Sequence, residues 1–316
     1  MTPRDSEIAR FLAVHGWGGA ERRPMGADWS SRRYERLRRG SGTAILMDSA
    51  ADAPVGAFVA VDRWLRANGL HAPELLGIDE PARLLLLEDL GDDLLARVLA
   101  SGGDEAALYR LALEAILRFQ DAAPPDFLPV LDEAGLLALL DLYLDFAAGP
   151  LDAAARLRFA DAWCPLLPLA RTGPDVFLHR DYHAENLTLV PGQPGLWGLG
   201  LLDFQDAFRG PAAYDVVSLV QDARRDVSPA VAEAVVDAYL AARPTLSRDA
   251  FATAFAVLGA QRATRILGVI GRLQQTQGRS FPKGMRERVV GHLRASLAHP
   301  ALADLRRWCD REGLPT

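Results

Sequence analysis

Lysine is almost missing from this chain of 316 residues: Lys283 is its only example, and arginine supplies every other fixed positive charge. Any side-chain cation that residues 1–282 offer an anion is therefore arginine, histidine aside. Cysteine is scarce too. Cys164 and Cys309 lie far apart without metal-ligand spacing and read as ordinary thiols of a reducing compartment. His15, His71, His292 and His299 are scattered and suggest no metal cluster. No stretch is long and apolar enough to span a bilayer. The segment Met1 to Phe11 carries Arg4, Asp5, Glu7 and Arg10 in place of an apolar signal run. The net charge of −6 argues against bulk attraction to nucleic acid or an anionic membrane. These absences make a cytoplasmic, soluble protein the default expectation.

What is present suffices for a sizeable core, since 50% of the residues are hydrophobic. The length suits two domains or one bilobal unit. Residues 5–15 read as a short helix and 16–27 as a loop or ragged edge strand. Alternation in 34–38, a Gly-rich turn at 39–42 and an apolar run at 43–47 predict a hairpin. A helix is expected over 54–68, with strands at 74–78 and 84–87. Beyond Gly91 helical spacing dominates: 105–122, 133–147, 153–163, 212–224, 229–242, 249–276 and 285–297. Two strand-like runs interrupt it, at 176–178 and 199–202. The expected fold is α+β and bilobal, with a small β-rich lobe over 1–88 and a larger, mainly helical lobe over 89–316.

The chemistry concentrates in two segments. Residues 179–186 read His-Arg-Asp-Tyr-His-Ala-Glu-Asn, the pattern H-R-D-x-x-x-x-N of a kinase catalytic loop. Asp203-Phe204-Gln205-Asp206 follows and begins like the metal-binding D-F-G segment. Phosphoryl transfer asks the protein to position a hydroxyl and neutralise phosphate charge. Asp181, in a loop after a strand, can accept a hydroxyl proton. Asn186 and Asp203 offer one neutral and one charged oxygen, enough for Mg2+, which takes its other ligands from phosphate and water. Each motif alone could be a surface turn or a strand-end cap; the pair in this order favours a kinase.

With these residues in view, the chain resembles the aminoglycoside phosphotransferase superfamily, whose fold is protein-kinase-like. The resemblance rests on Leu86 to Asp92, His179 to Asn186 and Leu202 to Ala207, and continues through Gly210 to Asp215 and Ser218 to Asp226. Within that superfamily it is similar to the anomeric kinases that phosphorylate N-acetylmuramate and N-acetylglucosamine at C1 in cell-wall recycling. The resemblance implies ATP and Mg2+ as cofactors, Asp181 as catalytic base, and Asn186 and Asp203 as metal ligands. It makes Glu88 to Leu90 the hinge that holds adenine. Asp215 either buttresses the catalytic loop or simply begins a helix favoured by the dipole.

The family's strand lysine is absent, and Met47 stands at the aligned position. No G-x-G-x-x-G loop joins the first two strands. Arg32 or Arg33, with Ser30, Ser31 and loop amides, is expected to contact the nucleotide phosphates instead; the alternative is solvated strand-edge charge. For the acceptor, Arg262, Arg265 and Arg272 share one face of a helix, and the segment that opens with Asp222 adds Arg224 and Arg225. Such arginines suit a carboxylated or hydrogen-bonding sugar better than a polycationic aminoglycoside; the alternative for each of them is a solvated surface charge. Glu185 and Asp206 border the motifs and could touch sugar hydroxyls or serve structure. Tyr182, His183, Trp29 and Trp197 could stack or pack. The rival activities are a kinase of another small alcohol (aminoglycoside, choline, homoserine or hexose) and an ATP-binding pseudokinase.

Overall fold

The computed structural model describes residues 2–26, 32–50, 53 and 55–312. In chain order the elements are α1 (Pro3–Val14), β1 (Glu21–Pro24), β2 (Arg33–Arg39), β3 (Gly42–Asp48), α2 (Gly56–Ala67), β4 (Leu75–Asp79) and β5 (Leu84–Glu88). Then come α3 (Leu95–Ala100), α4 (Glu105–Asp121), α5 (Glu133–Ala138), α6 (Asp141–Phe146), α7 (Ala153–Trp163), β6 (Val176–Leu178), β7 (Leu187–Leu189), β8 (Leu199–Leu201) and β9 (Phe208–Gly210). The chain closes with α8 (Ala213–Val220), α9 (Pro229–Ala241), α10 (Arg248–Gln277), α11 (Met285–Leu297) and α12 (Ala303–Arg311). This is the α+β composition the sequence implies. Among the described residues no helix is long and apolar enough to cross a membrane.

Packing divides the chain into two units: Met1–Leu95 with Asn186–Asp206, and Ala96–Glu185 with Ala207–Thr316. The break expected at residue 88 differs in two ways. The first unit runs on to Leu95, and it recovers the hairpin strands β7 and β8 from the middle of the sequence.

The first unit is built on a five-stranded sheet in the order β1-β2-β3-β5-β4, antiparallel throughout. Side chains alternate across a strand. Ala44, Leu46, Leu84 and Leu86 thus share one face, where Ile8, Phe11 and Leu12 of α1 cover them. Their neighbours Ile45, Met47, Leu85 and Leu87 point the other way and are buried as well. The edge strand β1, Glu-Arg-Arg-Pro, is mostly exposed, as suits an edge. Helix α1 starts with a reciprocal Thr2–Asp5 capping box and Pro3 in its first turn.

The second unit is mainly helical, with α10 as its longest member, capped by Ser247 and ended by left-handed Gly278. Helix α6 crosses α10 where Gly268 and Gly271 stand; a Cβ on either would overlap the backbone of Leu142–Tyr143 or of Phe146. The helix expected over 133–147 is in fact two, α5 and α6, separated at Leu139 and Leu140. The helix expected over 212–224 stops at Val220. Strands β6 and β9 pair antiparallel and hold the two ends of the segment that carries the motifs.

Candidate active site

Asp181 belongs to the second unit. It follows β6 in a loop pinned from below by Asp215 of α8. One Asp215 oxygen accepts the His179 amide at 2.7 Å and the other the Arg180 amide at 2.9 Å. Arg180 has φ of 77°, a left-handed backbone that is strained for arginine. Asp215 is fully buried; burial pushes its pKa up to about 7, against the pull of the two amides. The buttress reading and the helix-start reading of Asp215 thus describe the same residue, since it also lies in the first turn of α8.

The surroundings of Asp181 are cationic. Burial alone would raise its pKa, but Arg265, Arg180 and Arg262 oppose that and hold it well below the usual carboxylate range. It is therefore ionised at neutral pH. His183, two residues on, is buried, and burial together with Arg224 drives its pKa well down, so it stays neutral. Arg224 Nη1 donates to the His183 ring. Tyr182 is a core residue whose hydroxyl donates to the Ala112 carbonyl at 2.8 Å.

The loop after α8 is heavily tied. Asp222 Oδ1 accepts the Arg224 amide at 2.7 Å. Arg224 Nε meets Glu185 Oε2 at 2.8 Å. Arg225 bonds Glu105 at 3.2 Å and the Tyr109 hydroxyl at 2.6 Å. Arg288 clamps Asp226 through two bonds. So Glu185 and Arg224, both expected to meet a sugar, are paired with each other. Of the three arginines expected on one face of α10, Arg262 is buried, Arg265 half-buried and Arg272 exposed. Only the first two act on Asp181. Asp206 is exposed.

Asn186 and Asp203 belong to the first unit, where the β7–β8 hairpin sets them. Leu202 N donates to the Asn186 carbonyl at 2.9 Å. Asn186 Nδ2 then stands 3.5 Å from Asp203 Oδ2, and Gln205 Nε2 donates to Asp203 Oδ1 at 2.7 Å. Asp203 also has a left-handed backbone, with φ of 59°. The next residue, Phe204, is buried against Phe58 of α2, with ring centroids 4.7 Å apart. The exposed Asp203 carboxylate and the Asn186 side chain, turned over so that its amide oxygen replaces the nitrogen that now faces Asp203, would suit a magnesium ion that keeps phosphate and water as its other ligands. Among the described residues no group of three or more His, Cys, Asp or Glu could hold a metal by itself.

The nucleotide residues expected from sequence also lie in this unit. Met47 is fully buried on β3. Glu88 ends β5 with its carboxylate turned to His71 at 3.3 Å and to the Glu74 amide at 3.0 Å, and its own amide donates to the Glu74 carbonyl at 2.9 Å, so its side chain and its amide are both engaged. Leu90 is buried, Arg32 half-buried and Arg33 exposed at the start of β2. Ser30, Ser31 and Trp29 lie outside the described residues. Trp197 is a partner of His71, ring to ring at 4.9 Å, and lies under the Arg66 guanidinium.

Residues 21–251 match the model of the phosphotransferase enzyme family. This chain belongs to that family. It is 39% identical to the N-acetylmuramate/N-acetylglucosamine kinase of Caulobacter vibrioides, over 98% of this chain and 96% of that one. It is 33% identical to the kinase of the same name from Pseudomonas aeruginosa, over 95% and 92%. Among solved structures it is similar to a choline/ethanolamine kinase family protein from Mesorhizobium loti, with TM-score 0.67 and 16% identity over 96% of this chain and 99% of that one. It is also similar to the GDP complex of aminoglycoside 2'-phosphotransferase-IIIa, with TM-score 0.62 and 15% identity over 94% and 99%. Those two share the fold. The family member is a small-molecule kinase with a hydroxyl acceptor.

Two features escaped the sequence reading. Gln205 stands where D-F-G has glycine, and nothing in its spacing announces a bond to Asp203. Asp62 of α2 is fully buried, and both its oxygens lack a hydrogen-bond partner. A carboxylate on the apolar face of a helix was the available signal.

Proposed function

We propose that this protein transfers the γ-phosphate of ATP to the anomeric C1 hydroxyl of N-acetylmuramate and N-acetylglucosamine. The observation that carries the choice of acceptor is the charge around Asp181. Arg265, Arg180 and Arg262 all act on that carboxylate. A polycationic aminoglycoside would meet like charge there, a repulsive element that discriminates against it. A neutral or anionic N-acetylated sugar meets none. The names of the two bacterial relatives, which match nearly the whole chain, support the same acceptors.

In this reading Asp181 orients the acceptor hydroxyl and takes its proton. An anomeric hydroxyl is more acidic than an ordinary alcohol, so a strongly ionised carboxylate suffices; its work is orientation more than basicity. Asn186 and Asp203 hold Mg2+, which when bound supplies the charge neutralisation the triphosphate needs. The backbone of Glu88 to Leu90 holds adenine beside Met47, and Arg32 or Arg33 meets the phosphates in place of the lost lysine. Asp222, Arg262 and Asp206 remain for the sugar, while Glu185 and Arg224 brace each other.

The test is purified protein with Mg-ATP against N-acetylmuramate, N-acetylglucosamine and kanamycin, with products identified by phosphorus NMR. Anomeric phosphates of the two N-acetylated sugars are expected. A kanamycin phosphate, or a 6-phosphate of the sugars, would overturn the proposal.

A further inference from the structure

We infer that Arg262 is the carboxylate-recognition residue of the acceptor site, reading the anionic side group that N-acetylmuramate has and N-acetylglucosamine lacks. The inference rests on the acceptor reading above and refines it.

A guanidinium offers five N–H donors. That of Arg262, in a residue only 4% exposed, makes one long hydrogen bond, to the Gln221 carbonyl at 3.4 Å. Its Nε is buried with no partner. Among the described residues no carboxylate stands within ion-pair distance of it; Asp181 and Asp222 act on it only from farther off. The other arginines of this corner are committed: Arg224 to Glu185, Arg225 to Glu105 and Arg288 to Asp226. The donors that this buried guanidinium leaves unbonded can meet an anionic ligand.

The surroundings narrow that ligand. Arg262 lines a recess with Gln221, Ala263, Ile266, Val289 and His292, with a volume of about 10 Å³. That admits one atom the size of a water oxygen. One oxygen of an anionic group fits there while the sugar ring stays outside, and the anionic group of the proposed acceptor is its carboxylate. Neutral His292, whose Nε2 faces the Asp222 carbonyl at 3.3 Å, adds no competing charge. Asp222 Oδ2, buried and without a partner, is an acceptor left over for a hydroxyl of the same sugar.

The experiment compares kcat/KM for the two sugars in the wild type, Arg262→Gln and Arg262→Lys. Losing a hydrogen bond to a charged group costs about ten- to a hundred-fold. The ratio of N-acetylmuramate to N-acetylglucosamine should fall by that factor in Arg262→Gln and recover in part in Arg262→Lys. Free lactate should compete with the acceptor in the wild type and lose that effect in Arg262→Gln. An equal loss on both sugars would reduce Arg262 to a support for Asp181 and overturn the inference. So would an unchanged ratio, or no inhibition of the wild type by lactate. Should the wild type phosphorylate neither sugar, calorimetric binding of the two sugars to it decides separately: tighter N-acetylmuramate binding keeps the inference and sinks only the kinase acceptor, while equal binding sinks both.

Discussion

Asp215→Ala is the sharpest probe of how the catalytic loop is held. The substitution removes the acceptor of two buried amides, those of His179 and Arg180. Each buried donor left unpaired costs about 1–3 kcal/mol, so the pair amounts to about 2–6 kcal/mol. Arg180 adds to this. Its left-handed backbone costs about 1–2 kcal/mol and persists because Asp215 holds its amide. Released, Arg180 should relax toward an ordinary conformation and carry Asp181 with it. A displacement of about 1 Å at a reacting group can cost about a hundred-fold in rate. Asp215→Asn keeps one carbonyl oxygen and should lose about half as much stability. The assays are denaturant unfolding and kcat with saturating substrates. The second substitution Arg180→Gly should recover part of the stability lost in Asp215→Ala, since glycine adopts positive φ freely. Stability within about 0.5 kcal/mol of wild type in Asp215→Ala, with unchanged kcat, would refute the buttress account.

Three further outcomes are expected. The His71–Glu88 pair has a raised histidine pKa, through its bonds to Glu88 and the Trp197 carbonyl against burial, and a lowered Glu88 pKa, chiefly through His71. Its contribution is lost as pH rises through the folded His71 pKa and as pH falls through that of Glu88. It should therefore be largest between about pH 4.5 and 6.5, and His71→Gln should flatten the stability profile there. Asp62, raised to about 7 by burial, costs stability increasingly as pH climbs from about 4 to 7. Asp62→Asn should gain on the order of 2–4 kcal/mol at pH 8 and little at pH 4, measured by urea unfolding. Gln205→Ala removes the amide that fixes Asp203 Oδ1; Mn2+ binding in the presence of ADP should weaken about ten-fold, with the fold intact by circular dichroism. Unchanged binding would deny Gln205 any part in orienting Asp203.

Much of this was legible in the residues, for local reasons. The hairpin of β2 and β3 follows from alternation around Gly40, whose φ is 59°. The motif loop follows because its strands, β6 and β8, are short apolar runs with polar ends. What failed were places where a tertiary contact overrules local spacing. Residues 133–147 keep helical period throughout, but the chain re-aims at Leu139–Leu140 so that α6 can lie against Gly268 and Gly271. The apolar spacing past Val220 suggests more helix, but Asp222 takes the Arg224 amide and makes a turn. The short helices α3 and α12 were too brief for period to show. At the site, residue type revealed Asp181, Asn186 and Asp203, whereas partners decided the rest. Nothing local says that Arg224 spends itself on Glu185 while Arg262 makes a single long hydrogen bond to the Gln221 carbonyl.

The central claim, that Asp181 works as the proton acceptor on a hydroxyl, is tested most directly in Asp181→Asn. The variant keeps the shape and loses the charge. Single-turnover phosphorylation of N-acetylglucosamine should fall by about a thousand-fold or more, while ADP binding by calorimetry stays within about two-fold of wild type. Turnover close to wild type with nucleotide binding unchanged would contradict the account.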